Sequence, residues 1–247
     1  MKVLEIYNIL DSISPFIMQA EWDNSGLNIG NMQIECKQVY IALELDMQVV
    51  NAIENESLLI VHHPLIFKAL KTIQTDTYPA NLIELCLQKK ISVIAMHTNF
   101  DKTHLNKAFA TKLCLESLNF TPNGEKDFSL IYSTSTPLST HSLATHIKNI
   151  LGLDTLRYTQ KDNMIHNLYI TCGSNATAYK IANKRDCIIT GDIKYHDAMI
   201  AASEGISFID VPHFESECIF SDLLAKALQK HHIQAIITNS HNPFCYI

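Results

Sequence analysis

Apolar residues along the chain alternate between short continuous runs and stretches with helical periodicity. The continuous runs predict β-strands at Val39–Leu45, Leu58–His62, Ile91–His97, Phe128–Ser133, Leu168–Cys172, Asp186–Thr190, Ile206–Asp210 and Gln234–Thr238. Helical spacing predicts a helix at the start of the chain and others near residues 46–56, 79–89, 104–116, 140–151, 175–184, 194–204 and 215–231. This alternation is typical of an α/β protein whose sheets are covered by helices.

A break in the pattern falls at Asn119–Asp127, where Pro, Asn-Gly and charged residues come together. It predicts a domain boundary, with an N-terminal lobe over residues 1–122 and a C-terminal lobe over residues 123–247. Both halves repeat the strand–helix alternation. We therefore expect two similar α/β lobes.

Composition narrows the class of protein. The 247 residues can bury a full core, and no apolar run approaches the length of a membrane span. The start of the chain lacks the apolar run of a signal peptide, and the seven scattered cysteines fit a reducing cytosol, so we expect a cytoplasmic protein without membrane contact. The net charge of −6 argues against nucleic-acid binding.

The glycines and histidines reduce the number of protein functions that the sequence allows. None of the seven glycines belongs to either common phosphate-binding loop, which argues against a Rossmann dehydrogenase or a P-loop NTPase. Twelve histidines, by contrast, are many for this length. The functional question is therefore which histidines bind or react.

The segment LLIVHHPLIF carries an apolar strand directly into His62, His63 and Pro64. Ligands gather at the carboxyl ends of strands in open α/β sheets, so a site is expected here. Neighbouring side chains of an extended segment point in different directions, which lets the two histidines serve separate ions. The alternative is a pair of histidines in a surface turn.

A second strand, ISVIAMHTNFD, ends in His97 and is followed by Asp101. A carboxylate at this place can bridge two cations, because its two oxygens reach both. The alternative for Asp101 is an N-cap of the helix that follows it. For Asp101 considered alone, the N-cap is the favoured interpretation.

The third segment, FIDVPHFESE, places His213 and Glu217 four residues apart at the start of a helix. Residues with this spacing share a helix face, so both can reach one ion. Glu217 can instead be an acid of the first turn that complements the helix dipole, as Glu215 is expected to be.

A fourth segment, TGDIKYHDA, has two interpretations. His196 can orient a ligand or contact substrate. Alternatively, Asp192 is a cap and His196 is an ordinary, partly exposed helix residue.

Together these segments resemble the GTP cyclohydrolase 1 type 2 family, also called Nif-three-like dinuclear metal proteins. The resemblance lies in EWDNSGLNIG (Glu21–Gly30), VHHPLIF, HTNFD, TGDIKYHDA and HFESE, in that order over nearly the whole chain. The chain resembles the short form of the family, which lacks the middle domain that some members carry. Three departures from the family pattern are Pro212 before His213, the segment KTHLNKA after Asp101 in place of a glycine-containing turn, and the loop Cys172-Gly-Ser-Asn.

The resemblance implies two α/β lobes with the metal site between them and a ring-shaped homohexamer. It implies two divalent ions per chain, Zn, Fe or Mn, with ligands at His62, His63, Asp101, His213 and Glu217. The implied reaction is a hydrolysis in which activated water opens the imidazole ring of GTP.

In such a reaction His97 is the candidate for proton transfer or substrate contact. The alternative is that His97 only supports the metal ligands without contacting metal or substrate. The functional alternatives are a metal-dependent phosphatase or phosphodiesterase, and a metal-binding scaffold protein without catalysis.

Overall fold

The computed structural model describes residues 1–245 and contains two β-sheets with helices around them. The strands are β1 Gly26–Ile29, β2 Val39–Ala42, β3 Leu58–Val61, β4 Ser92–Ala95, β5 Thr121–Lys126, β6 Ser129–Ser139, β7 Arg157–Tyr158, β8 Met164–Ile170, β9 Asp186–Thr190, β10 Ser207–Asp210 and β11 Ile236–Ile237. The α-helices are α1 Val3–Ile13, α2 Met47–Ala52, α3 Ala80–Gln88, α4 Thr98–Phe100, α5 Asn106–Lys112, α6 Thr140–Leu151, α7 Tyr195–Ser203, α8 His213–Glu217 and α9 Phe220–Gln229. Between α4 and α5 the chain forms a π-helical turn, Asp101–Leu105.

The chain divides into two compact units. Unit 1 consists of Met1–Thr103 together with the chain from Phe220 onward, and unit 2 is His104–Ile219. The predicted α/β class with two sheet-containing parts is confirmed.

Unit 1 contains a five-stranded sheet in the order β1-β4-β3-β2-β11. β4, β3, β2 and β11 are parallel, and β1 pairs antiparallel with β4 at one edge. Every residue of β2, β3 and β4 is buried, as the continuous apolar runs require of strands covered on both faces. Side chains of α2 and α3, including Val49, Val50 and Leu82, pack in the same core cluster as side chains of these strands.

Unit 2 contains a six-stranded sheet in the order β5-β6-β8-β9-β10-β7. Its centre, β8-β9-β10, is parallel, and the outer pairings are antiparallel. Tyr169, Ile188 and Phe208 from the three central strands pack with Ile193 and Ala201 in a core of buried residues.

The predicted boundary at residues 122 and 123 requires correction. Asn119–Asp127 is not a linker but leads through β5, which pairs antiparallel with β6 as a hairpin within unit 2. The chain also returns to unit 1 after residue 219, because β11 adds to the sheet beside β2. A local turn signal such as Asn-Gly is as typical of a hairpin turn as of a linker. The return of β11 depends on pairing with a strand that is distant in sequence, which local patterns do not predict.

Two predicted helices also differ from the structure. The helix predicted at 215–231 is divided into α8 and α9. The segment predicted at 175–184 forms only a 3₁₀ helix, Ala176–Lys180. The strands β1, β5 and β7 were not predicted, because they are short or exposed edge strands with little apolar pattern.

Within residues 1–245, no helix has both the length and the apolar character needed to cross a membrane.

The returning helix α9 is expected to be part of the core of unit 1. Leu224 is fully buried, so Leu224→Ala should lower the free energy of unfolding by about 2–5 kcal/mol through lost burial and the cavity that remains. Leu87→Ala on α3, where the side chain is 58% exposed, should cost far less. Urea denaturation measures both, and equal small losses would show that α9 is dispensable for the fold.

Candidate metal centre

Three neighbouring parallel strands of unit 1 deliver polar residues at the same edge of the sheet. Glu44 follows β2, His62 and His63 follow β3, and His97 follows β4. Parallel strands in register end together, so these side chains arise close to one another. The predicted strand-end placement of the histidines is confirmed.

Backbone hydrogen bonds hold the His62-His63 turn against its neighbours. The amides of His62 and His63 both donate to the carbonyl oxygen of Leu43, at 3.2 and 3.3 Å. The amide of Met96, just before His97, donates to the carbonyl oxygen of Val61 at 2.9 Å. The turn is therefore fixed by the sheet itself and is not a loose surface loop.

The three histidines of unit 1 share one hydrogen-bonding pattern, in which Nδ1 contacts an oxygen that can only accept. The pairs are His62 with the Met96 carbonyl at 2.8 Å, His63 with Glu44 Oε1 at 2.5 Å, and His97 with Asp23 Oδ1 at 2.7 Å. A carbonyl or carboxylate oxygen accepts a hydrogen bond, so Nδ1 of each ring carries the proton. Nε2 of each ring then keeps a lone pair, which is the form that binds a metal.

The three imidazoles also converge. Their ring centroids lie 4.7 to 5.2 Å apart, and each ring offers a nitrogen within 4.8 Å of the others. His62 is fully buried and its ring also contacts the ring of Phe220 at 4.8 Å between centroids. His62 Nε2 lies 3.4 Å from Asp101 Oδ1. Unit 1 therefore gathers a carboxylate and three imidazoles.

Asp101 is not the N-cap of a following helix. Its backbone is helical, its amide donates to the carbonyl oxygen of His97 at 3.0 Å, and it begins the π-helical turn after α4. The residue is 7% exposed. Asp101 is therefore a buried carboxylate beside His62, and its oxygens are of the kind that bind divalent metal ions.

Unit 2 also places residues of the candidate site at the ends of adjacent parallel strands. β8, β9 and β10 are adjacent and parallel, and they lead to Gly173, Asp192 and His213 respectively. His213 is the first residue of α8, directly after Pro212, whose extended backbone precedes the helix. The departure at Pro212 thus leaves the turn suited to begin a helix.

His213 and Glu217 face each other across one turn of α8. His213 Nε2 lies 3.0 Å from Glu217 Oε2, and His213 Nδ1 lies 2.6 Å from Asp192 Oδ2. Glu217 is 2% exposed and stands at the end of α8, so it is not an acid of the first turn. Glu215 occupies that first turn, as predicted.

The charge around His213 is strongly negative. Burial by itself would lower the pKa of His213, but the carboxylates of Glu217 and Asp192 outweigh burial and raise its pKa to about 9. In the metal-free protein this imidazole therefore carries a proton at neutral pH. A metal ion that binds here displaces that proton and takes over its role of neutralising Glu217.

Gly173 makes room for the carboxylate of Glu217. A Cβ atom at Gly173 would lie 2.1 Å from Glu217 Oε1 and 3.3 Å from His213 Nε2. The residue also has a positive φ of 60°. The departure Cys172-Gly-Ser-Asn therefore keeps the glycine that the close approach requires.

The role of three acids that hold the histidines was not predicted from the sequence: Glu44, Asp23 and Asp192, of which Asp192 was considered only as a helix cap, whereas the cap residue of α7 is Lys194. Glu44 follows a predicted strand next to the His62 strand, which is the signal that could have found it. Burial tends to raise the pKa of Asp23, but hydrogen bonds from His97 and Thr98 outweigh burial and hold it below its usual range. His196 is exposed on α7, which agrees with its interpretation as an ordinary helix residue.

These residues fit divalent metal ions. Imidazole nitrogens and carboxylate oxygens suit Zn, Fe and Mn, and a metal-bound histidine usually donates its other N–H to an oxygen. All four histidines meet that second requirement, three through carboxylates and one through a carbonyl.

Comparisons with known proteins give one consistent family. Over residues 1–243 the chain matches the Duf34/NIF3 (NGG1p interacting factor 3) family. It is 43% identical to a protein of Helicobacter pylori strain J99 named GTP cyclohydrolase 1 type 2, across 98% of this chain and 97% of that protein. It is 42% identical to a Campylobacter jejuni protein named GTP cyclohydrolase 1 type 2 homolog, across the full length of both.

The fold comparison agrees with the sequence comparison. The crystal structure of Staphylococcus aureus protein SA1388 matches with a TM-score of 0.82 and 26% identity, across 100% of this chain and 99% of that one. The structure of a Bacillus cereus protein related to NIF3 shares the fold, with a TM-score of 0.81 at 19% identity, across 100% and 99% of the two chains. This chain belongs to the Duf34/NIF3 family, as the resemblance in its sequence indicated.

Proposed function

We propose that this protein is a dinuclear metal-dependent hydrolase whose two divalent ions are bound by His62, His63, Asp101, His213 and Glu217. The observation that carries the proposal is the state of the imidazoles. His62 and His63 each direct the Nδ1 proton to an oxygen acceptor and leave Nε2 as a ligand, and His213, whose Nδ1 contacts Asp192, gives up its additional proton when a metal ion binds. The buried carboxylates of Asp101 and Glu217 supply the negative charge that two cations need.

When bound, paired divalent ions supply an acidified water as the nucleophile and neutralise the charge that develops on the substrate. The chain's own residues hold this chemistry in place. Glu44 and Asp192 fix the rings of His63 and His213 through Nδ1. His97, which has a ring nitrogen within 4.8 Å of nitrogens of His62 and His63, is positioned to accept the proton that the water loses.

The proposed substrate is a purine nucleotide, GTP, attacked at C8 between the two imidazole nitrogens of the base. The support is the name of the Helicobacter pylori relative and the hydrolytic character of the site. We propose further that the protein acts in the cytoplasm as a ring-shaped homohexamer, which sedimentation analysis would test.

The second candidate function is a metal-dependent phosphatase or phosphodiesterase, because a two-ion site also suits in-line displacement at phosphorus. A metal-binding scaffold without turnover is the third. Both would use the same ligands and differ only in what the bound ions do.

Elemental analysis of purified, metal-reloaded protein tests the ligand assignment. About two divalent ions per chain are expected in the wild type, and fewer in Asp101→Ala, which removes a buried carboxylate ligand. Far-ultraviolet circular dichroism controls for folding. Fewer than about one ion per wild-type chain after reloading would contradict a dinuclear centre.

Product analysis with GTP tests the reaction. Formate release is expected from the wild type and should fall to background in His62→Ala and Glu217→Ala proteins that remain folded, because each loses a proposed ligand. Phosphate release with an unchanged purine ultraviolet spectrum would instead support the phosphatase. Bound metal without turnover on a panel of nucleotides would support the scaffold.

Gly173→Ala should weaken metal binding by about tenfold or more, because the new methyl group displaces Glu217 Oε1. Gly152→Ala is the matched control, since Gly152 has a similar φ of 66° and no heavy atom within 4 Å of an added Cβ. Both variants carry the same backbone strain, so competition with a metal-binding dye isolates the contact with Glu217. Equal affinities would show that Glu217 tolerates the displacement.

A further inference from the structure

A buried carboxylate, Asp23, lies behind His97. It stands in the loop before β1, and its side chain has no exposed surface. Oδ1 accepts from His97 Nδ1 at 2.7 Å and from the Asn24 amide at 2.7 Å. Oδ2 accepts from Ser25 Oγ at 3.0 Å, from the Thr98 amide at 3.1 Å and from Thr98 Oγ1.

The directions of the hydroxyl protons around Oδ2 are set by backbone amides. Thr98 Oγ1 accepts from the amide of Ala20 at 2.9 Å, so its single proton is directed to Asp23. Ser25 Oγ accepts from the amide of His97 at 3.2 Å, so its proton is also directed to Asp23. Together with the Thr98 amide, three donors surround Oδ2.

From this network we infer that Asp23 is a positioning residue that fixes the tautomer of His97. The hydrogen bonds described for the Asp23 carboxylate all come from donors, so the carboxylate is held as an acceptor and His97 carries its proton on Nδ1. His97 therefore keeps a lone pair at Nε2, and a nitrogen of its ring lies within 4.8 Å of nitrogens of His62 and His63. The inference rests on the proposed function for its catalytic meaning, but the tautomer itself does not depend on it.

The fixed tautomer matters because the opposite one would disable the residue. With its proton on Nε2, His97 would present a donor toward the cations and could not accept a proton from water. In the fixed form, the water's O–H bond breaks, its electron pair stays on oxygen and the proton moves to Nε2. The resulting imidazolium is stabilised by the Asp23 carboxylate through Nδ1–H.

Asp23→Asn is the sharp test, since it keeps the shape and changes which atoms can accept. The amide oxygen is expected at the Oδ2 position, where three donors require an acceptor. The amide nitrogen then faces His97 Nδ1 and donates to it, at the cost of the hydrogen bond from Asn24. His97 must therefore move its proton to Nε2.

Magic-angle-spinning NMR of metal-free protein labelled with ¹⁵N at histidine reads the tautomer directly, with the His97 signals assigned from their loss in His97→Gln. The wild type should show protonated Nδ1, and Asp23→Asn should show protonated Nε2. Thr98→Val is the matched control, because it removes one hydroxyl donor from the same network but keeps the Asp23 carboxylate. It should retain protonated Nδ1 even if its stability falls.

Kinetics of the metal-loaded protein give the second measurement. Asp23→Asn should lower kcat for hydrolysis by about a hundredfold or more with little change in KM, while Asp154→Asn, the same change at an exposed aspartate, stays within about threefold of the wild type. If the wild type shows no hydrolysis, the proposed function fails and the NMR result still decides the role of Asp23. A wild-type His97 protonated on Nε2, or an unchanged tautomer in folded Asp23→Asn, would overturn the inference. If Asp23→Asn does not fold, the tautomers of the wild type and Thr98→Val decide it.

Discussion

The hydrogen bond from an imidazole Nδ1 to an oxygen acceptor is the interaction on which the candidate centre depends. It occurs at His62, His63, His97 and His213, with a carbonyl or carboxylate as partner each time. The bond fixes the orientation of each ring, and at His62, His63 and His97 it places the ring proton on Nδ1 and leaves Nε2 as a possible metal ligand. At His213 the bond to Asp192 fixes the ring but also helps to keep it protonated.

The sheets provide the positions from which those bonds form. In each unit, adjacent parallel strands end at the same level, and the acid on one strand end meets the histidine on the next. Glu44 and His63 meet in this way in unit 1, and Asp192 and His213 in unit 2. An acceptor one strand away is displaced by about 4.8 Å, which the length of a glutamate or aspartate side chain spans.

The positions of the candidate ligands could be predicted from the sequence better than the acids that hydrogen-bond to them. His62, His63 and His213 follow strands whose apolar runs were plain, so their placement could be inferred. Asp101 and Glu217 each had an ordinary alternative. The spacing from His213 favoured the metal for Glu217, whereas only the family resemblance favoured it for Asp101. Asp23 could not be assigned a role, because its partner His97 lies 74 residues away and no local pattern encodes that contact. The boundary of unit 1 failed for the same reason, since the pairing of β11 with β2 is long-range.

The return of the chain to unit 1 has a consequence for the order of synthesis. Unit 2 is continuous in sequence and has all its residues once Ile219 has been made. Unit 1 must wait for α9 and β11, although its histidines emerge from the ribosome much earlier. Phe220, whose ring packs against the ring of His62, is translated only after the whole of unit 2. Nascent chains therefore cannot complete the surroundings of His62 until unit 2 has been synthesised, long after His62 itself.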